Sequence, residues 1–121
     1  MTEDHLHDLE WAREFPGAIT VTDRAGVIIY MNHRSCETFA ADGGAALVGS
    51  SVYACHPEPS RSRLRALMEA GESNHYTIRK NGRRKIIHQV PWYREGAFAG
   101  LVELSLEIPE AMPHFDRDTP A

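Results

Sequence analysis

Over residues 3–15 the apolar positions recur at helical spacing. Leu6 and Leu9 share a side with Arg13, while Trp11 and Phe15 lie four apart on another. Thr2 suits the N-cap of this helix, and Pro16-Gly17 ends it. The period then shortens to two. Residues 18–23 alternate Ile19 and Val21 with threonines, residues 27–31 form a second apolar run, and Asp23-Arg-Ala-Gly26 between them is a tight-turn sequence. An antiparallel hairpin is the prediction.

Helical spacing returns over residues 32–41, with Cys36, Phe39 and Ala40 on one face, until Asp42-Gly43-Gly44 breaks it. Residues 45–48 offer one more turn before Gly49. Cys55-His56-Pro57-Glu58-Pro59 then leads into a stripe of Leu64, Leu67 and Met68, with Arg61 and Arg65 on another face and Gly71 at the stop position. Pro57 or Pro59 suits the first helical turn, and Glu58 carries a charge that favours a helix N-terminus. The rest of the chain reads as strands. Residues 74–80 and 83–93 flank Asn81-Gly82, the strongest short hairpin signal, and Pro91 suits an edge or a bulge. After Glu95-Gly96, residues 97–108 place Leu101, Glu103 and Ser105 opposite Val102, Leu104 and Leu106. The tail has little periodicity. Helix, two strands, short helices and three strands predict an α+β fold, an antiparallel sheet with its helices on one face.

Composition narrows the function classes. The 121 residues are 42% hydrophobic and 25% charged, which fits one domain with a modest core. A net charge of −4 supplies no global field for nucleic acid or an anionic membrane. No apolar run approaches the ~18 residues needed to span a bilayer. The acidic N-terminus lacks the apolar core of a signal peptide, and two cysteines make no disulfide framework. A cytoplasmic chain with reduced thiols is expected.

In their order and spacing these segments resemble a PAS domain over residues 15–110. Asp23-Arg-Ala-Gly-Val-Ile-Ile-Tyr-Met-Asn32 is similar to the family's "D-x-x-G-x-I-x-x-x-N" hairpin, which would turn Ile28 and Tyr30 to the core. Leu47-Val-Gly49 is similar to its "L-x-G" step, Gly96 and Gly100 frame its last turn, and Glu107-Ile-Pro-Glu110 lies where many members have "D-I-T-E". The segments "CHPEPSR" and "PWY" resemble a group of small bacterial PAS proteins. The resemblance implies a five-stranded sheet around short helices, an inner cavity for a small molecule or cofactor, and a sensory rather than catalytic role. It further implies a homodimer that signals in trans to partners such as kinases, cyclases or transcription factors, with regulation of transcription among the outcomes. The expected division is a flanking helix at 1–15, the PAS domain at 16–110 and a tail at 111–121.

The Cys55-His56 stretch invites sharper readings. Structural zinc needs a second ligand pair, which the sequence lacks, and adjacent Cys and His side chains rarely meet as a catalytic dyad. Haem-binding members of the family take an axial histidine near this helix, which makes His56, or Cys55 as a thiolate, the candidate haem ligand. A proline-fixed entrance to the helix is the preferred reading. Flavin photochemistry is not expected, since nothing matches the family's "N-C-R-F" motif. Candidate cavity residues are Ile19, Val21, Ile28, Tyr30, Phe39, His56, Leu64, Met68, Tyr76, Ile78, Ile87, Leu104 and Leu106, each equally readable as plain core. His88, Gln89 and Glu103 are the polar residues expected on the sheet, with His88 half-buried and satisfied. The cations Arg79, Lys80, Arg83, Arg84 and Lys85 read as a solvated hairpin tip without the aromatic platform of a nucleic-acid binder. Leu6, Leu9, Trp11 and Phe15 are the candidate dimer interface. An adaptor with a filled core and a haem-based redox or gas sensor are the alternatives to a small-molecule sensor.

Overall fold

The structure, a computed structural model, describes residues 9–118. One helical turn, α1 (Glu10–Arg13), precedes strands β1 (Ala18–Thr22) and β2 (Ile28–Met31). Helix α2 (His33–Thr38), three short 3-10 turns and helix α3 (Ser60–Ala70) follow, and then β3 (Asn74–Lys80), β4 (Arg83–Arg94) and β5 (Ala97–Ile108). The strands form one antiparallel sheet in the order β2-β1-β5-β4-β3, so the first and last hairpins meet through the β1–β5 pair. Helices and sheet enclose a core of Ile28, Met31, Val52, Leu64, Met68 and Leu101. This is the α+β arrangement expected from the pattern.

Local chemistry sets each element. Asp23 Oδ1 accepts from the backbone N–H of Ala25 and of Val27, closing the first hairpin turn, and Gly26 takes its positive φ of 85°. Gly71 ends α3 in the left-handed conformation, and Glu72 N–H reaches back to the Leu67 carbonyl. Asn81 and Gly82 both take positive φ between β3 and β4, the geometry of a tight hairpin. Gly100 has a structural duty of its own. At φ 149° its backbone lies so close to the Thr22 carbonyl that an added Cβ would collide with it. The approach lets Leu101 N–H bond Thr22 Oγ1 at 3.2 Å, and Trp92 Nε1 donates to the Thr22 carbonyl at 2.8 Å.

Several expectations are corrected. Of the helix expected at 3–15, the described residues show the turn α1, followed by Glu14 and Phe15 outside it, while Thr2 and Leu6 lie outside the described residues. Val27 falls outside β2 and makes an isolated bridge to Ser51. The single helix over 32–41 divides, because Asn32 caps α2 rather than joining it and the backbone tightens to 3-10 geometry at Ala40–Asp42. Pro59 stands at the N-cap of α3, one residue before its first turn, and the Glu58-Pro59 peptide is cis. Pro91 lies on β4, an interior strand. It sits beyond the point where β3 pairing ends at Asn74 and Gln89, next to a bulge at Trp92/Tyr93.

The two sheet edges differ. The backbone of residues 49–52 runs along β2, with Ile28 N–H bonding the Ser50 carbonyl and Val52 N–H the Gly26 carbonyl. β3 ends the strand order on the other side and carries mostly exposed residues. At the far end of β5, Arg79 grips Glu110 with two bonds of 2.6 and 2.7 Å, and Arg83 holds Glu107. Two of the five hairpin cations are therefore spent on internal carboxylates.

Asn32 is the most heavily used side chain. It is 1% exposed; its Oδ1 accepts from Ile19 N–H and Ser35 N–H, and its Nδ2 donates to the carbonyls of Ala12 and Gly17. Asn32→Ala strands these backbone groups in the interior and is expected to lower unfolding stability by about 3 kcal/mol. Asn32→Asp, which turns a carboxylate oxygen toward two carbonyls, is expected to cost at least as much. Urea midpoints of the purified variants check both, and a wild-type midpoint for Asn32→Asp would refute the donor role.

Candidate ligand site

The helical layer and the sheet leave a small internal cavity of about 40 Å³. Its walls are Thr20 and Thr22 from β1, Ile28 and Met31 from β2, and Gln89, Leu101 and Glu103 from β4 and β5. Phe39, Leu47, Val52, His56 and Leu64 close it from the helical side. A second hollow of about 270 Å³ opens between α3 and the β3–β4 hairpin, lined by His56, Ser60, Arg63, Leu64, Leu67, Asn74, Tyr76 and Gln89. His56, Leu64 and Gln89 belong to both, so the inner cavity and this mouth are neighbours across one shared wall. A larger surface groove, lined by Asp23, Arg24, Arg94 and Glu95 among others, lies apart from these two.

Three side chains form a polar file across the inner sheet. Asn74 Nδ2 donates to Gln89 Oε1 at 3.1 Å, and Gln89 Nε2 donates to Glu103 Oε1 at 2.8 Å. Cross-strand register creates the file, since Asn74 pairs with Gln89 and Gln89 with Glu103. Gln89 is 7% exposed, so the file is anchored in the interior. Thr20 is bonded to Ser35 and Thr22 to Leu101, which leaves Glu103 as the main acceptor facing the cavity.

His56 faces Glu103's cavity from the opposite wall. Its Nδ1 lies 2.7 Å from the Val52 carbonyl. A carbonyl oxygen only accepts, so Nδ1 carries the proton and the neutral ring keeps its lone pair on Nε2. The surrounding loop is tied down from outside. Arg61 Nε donates to the carbonyls of Tyr53 and His56, and Arg65 stacks over the Tyr53 ring at 4.2 Å. Glu58 accepts from the N–H and hydroxyl of Ser62 in the first turn of α3. These bonds hold the Glu58 carboxyl below its ordinary value, the hydroxyl contact contributing most. At the mouth, burial pushes the Tyr76 phenol up, the Glu103 charge adds to the rise, and Arg63 opposes it.

Of the residues singled out from sequence, Ile28, Phe39, His56 and Leu64 line the inner cavity and Tyr76 lines the mouth. Ile19, Val21, Tyr30, Leu104 and Leu106 do not. Cross-strand pairing puts Ile19 opposite Leu104 and Val21 opposite Tyr30, in alternation with Thr20 and Glu103, so these side chains occupy the other face of the sheet. The Tyr30 hydroxyl is buried there without a hydrogen-bond partner among the described residues, and burial raises its pKa. Met68 and Ile87 are buried core that does not reach the cavity, and Ile78 lies further along β3. Sequence reasoning missed Thr20, Thr22, Met31, Leu47, Val52 and Leu101 as wall residues, and Arg63 and Asn74 at the mouth. The first hairpin held a usable signal, because its short turn pairs Thr22 with Ile28 and sends both to the same side.

The haem reading meets a steric limit. Ligand pockets for drug-sized molecules run to roughly 300 Å³ and above, and a porphyrin is larger than many of these. The cavity of about 40 Å³ behind His56 would have to open before a porphyrin, or any other drug-sized ligand, could enter. Nothing of the Cys55 side chain is among the described positions. Leu9 and Trp11 of the candidate dimer interface are 38% and 69% exposed, and Phe15 packs edge-on to Trp11 with ring centres 6.4 Å apart. Among the described residues, no helix is long and apolar enough to cross a membrane.

The Glu58 cap has a pH signature. Its folded pKa lies below the ordinary 4.5, so its contribution is present above that value and is lost as pH falls through the depressed one. The stability gap between wild type and Glu58→Ala is therefore expected to be steady near neutrality and to close progressively as pH falls below 4.5 through the depressed value. Urea midpoints taken across that range check it, and a gap that persists in acid would assign the loss to packing instead.

Comparison with known proteins agrees with this geometry. A profile of the PAS fold matches residues 13–111. No curated protein sequence matches the chain. Among solved structures, a C-terminal domain from Streptococcus mutans superposes with a TM-score of 0.68 at 16% identity, covering 88% of this chain and 85% of that one. Vibrio cholerae VqmA bound to DPO gives 0.65 at 17% identity; 87% of this chain is covered, but it spans only 58% of VqmA. The Aer2 receptor of Vibrio cholerae, a dual PAS-heme oxygen sensor, gives 0.56 at 18% identity, with 77% of this chain and 95% of that one covered. With the profile spanning most of its length and the five-stranded sheet in place, the chain belongs to the PAS family and is a PAS sensory domain.

Proposed function

We propose that residues 16–110 bind a small, largely apolar molecule bearing N–H or O–H donors, and that occupancy is signalled to a partner protein in trans. The observation that carries this reading is the pairing of two acceptors in one apolar cavity. Glu103 spends one oxygen on Gln89 and His56 spends Nδ1 on Val52, while no hydrogen bond from a described residue reaches Glu103 Oε2 or His56 Nε2. Hydrogen-bonding atoms facing apolar walls are the means by which a pocket selects a complementary ligand. Arg63 at the mouth adds a donor for a carbonyl or carboxylate on the ligand's outer end. VqmA, a structural neighbour bound to the small molecule DPO, lends support by analogy, and its complex with DNA favours regulation of transcription as the output. Residues 1–15 would serve as a flanking helix for homodimerisation and residues 111–121 as a tail.

Because the inner cavity holds only about 40 Å³, occupation requires α3 and its mouth to shift outward. That movement is the signal in this reading, since His56 and Leu64 on the helical side and Gln89 on the sheet line both the cavity and the mouth. The same small volume favours a second reading, a protein-interaction adaptor whose core is filled.

Native mass spectrometry and a thermal-shift screen of small amines and N–H heteroaromatics separate the two. The ligand reading expects a retained small mass or a stabilising compound, with the shift abolished in Glu103→Leu and in His56→Leu. A bare chain that no compound stabilises would leave the adaptor. For the dimer, Trp11→Glu is expected to halve the solution mass; a monomeric wild type unaffected by the substitution would remove that interface. Added hemin is expected to give no Soret band dependent on His56.

A further inference from the structure

The face of the sheet that turns away from the cavity carries a second cluster. His75 on β3 and His88 on β4 are directly opposed in the strand register, and their Nδ1 atoms lie 2.7 Å apart. The rings meet edge-on with centres 5.0 Å apart. Two neutral imidazoles at this distance share one proton, so one Nδ1 donates and the other accepts. Neither ring touches the ligand site, because Asn74, Tyr76 and Gln89, their neighbours in sequence, point to the other face.

We propose that His75 and His88 form a cross-strand chelate for a borderline divalent transition metal, with Zn²⁺ as the representative ion. Zn–N bonds of about 2.0–2.1 Å at a tetrahedral angle place two nitrogens roughly 3.3 Å apart. The pair reaches that by opening slightly, without a change of strand register. On binding, the imidazole that donates moves its proton from Nδ1 to Nε2, so both rings stay neutral and present Nδ1 lone pairs to the ion. No third His, Cys, Asp or Glu joins them among the described residues, which leaves the remaining positions to water or to a partner's side chain. Imidazole nitrogens favour zinc, copper and nickel over magnesium or calcium.

The chelate also has a mechanical consequence. β3 is the last strand of the sheet, and its residues Asn74 and Tyr76, either side of His75, line the mouth of the ligand site. An ion on the outer face clamps the strand that forms one lip of that mouth.

Isothermal titration of the full chain with Zn²⁺ tests the proposal. One ion is expected to bind through these side chains, with affinity at least about tenfold weaker in His75→Gln and in His88→Gln, no response to Mg²⁺, and little change in His33→Ala or His114→Ala. A His5→Ala/His7→Ala variant is expected to retain the site, separating it from the N-terminal histidines. His75 and His88 are each at least partly exposed, and circular dichroism of each variant confirms folding. Wild-type affinity in both Gln variants, or no zinc binding by the folded wild type, would overturn the proposal.

Discussion

The four hydrogen bonds of Asn32 hold together parts of the chain that no sheet ladder connects. One amide receives the backbone of β1, caps α2 and captures carbonyls from Ala12 and Gly17. The N-terminal segment, the first hairpin and the first helix of the helical layer are thus fixed by a single side chain with no hydrogen-bonding capacity left over. Ser35, fully buried one turn into α2, then bonds Thr20 on the sheet. That contact sets how closely the helical layer approaches β1. These polar bonds act beside the apolar core of Ile28, Met31, Leu64 and Leu101 in drawing the layers together.

The sheet has inverted chemistry. Its helix-facing side carries Thr20, Thr22, Gln89 and Glu103, whereas the opposite side carries Ile19, Val21, Val102 and Leu104. Alternation in sequence reports which residues share a face and is silent on which face is inside. Assigning the apolar set inward is sound for a sheet with one solvated side, and here it reverses β1 and β5. The bulge after Val21 adds a second difficulty, since it changes the phase of β2 within the hairpin and separates Tyr30 from Ile28. Elsewhere strong local signals were sufficient. Asn81-Gly82 fixed β3 and β4 to their observed starts and ends at the hairpin, and the stripe ending at Gly71 located α3. The place of His56 before α3 was legible because the prolines marked the helix entrance. Its tautomer was not, because it depends on a carbonyl four residues earlier that only the 3-10 turn brings within reach.

Charge along the β3–β4 hairpin is used for attachment. Arg79 and Arg83 bind Glu110 and Glu107, and Arg84 donates to the Glu110 carbonyl. The bidentate Arg79 pair holds the Glu110 carboxyl below its ordinary pKa and raises that of the guanidinium. Both partners are exposed, so salt screens the pair and its value lies in direction more than in energy. It points the chain leaving β5 along the hairpin tip.

The unequal edges of the sheet limit how copies could assemble. Residues 49–52 already bond the start of β2 at Ile28, so among the described strands β3 alone presents its whole length to an incoming strand. A sheet with one usable edge can join a single neighbour in a closed pair but has no second edge from which to continue. Strand addition therefore terminates at two copies, and fibre growth by edge pairing is blocked by the same loop that braces the first hairpin.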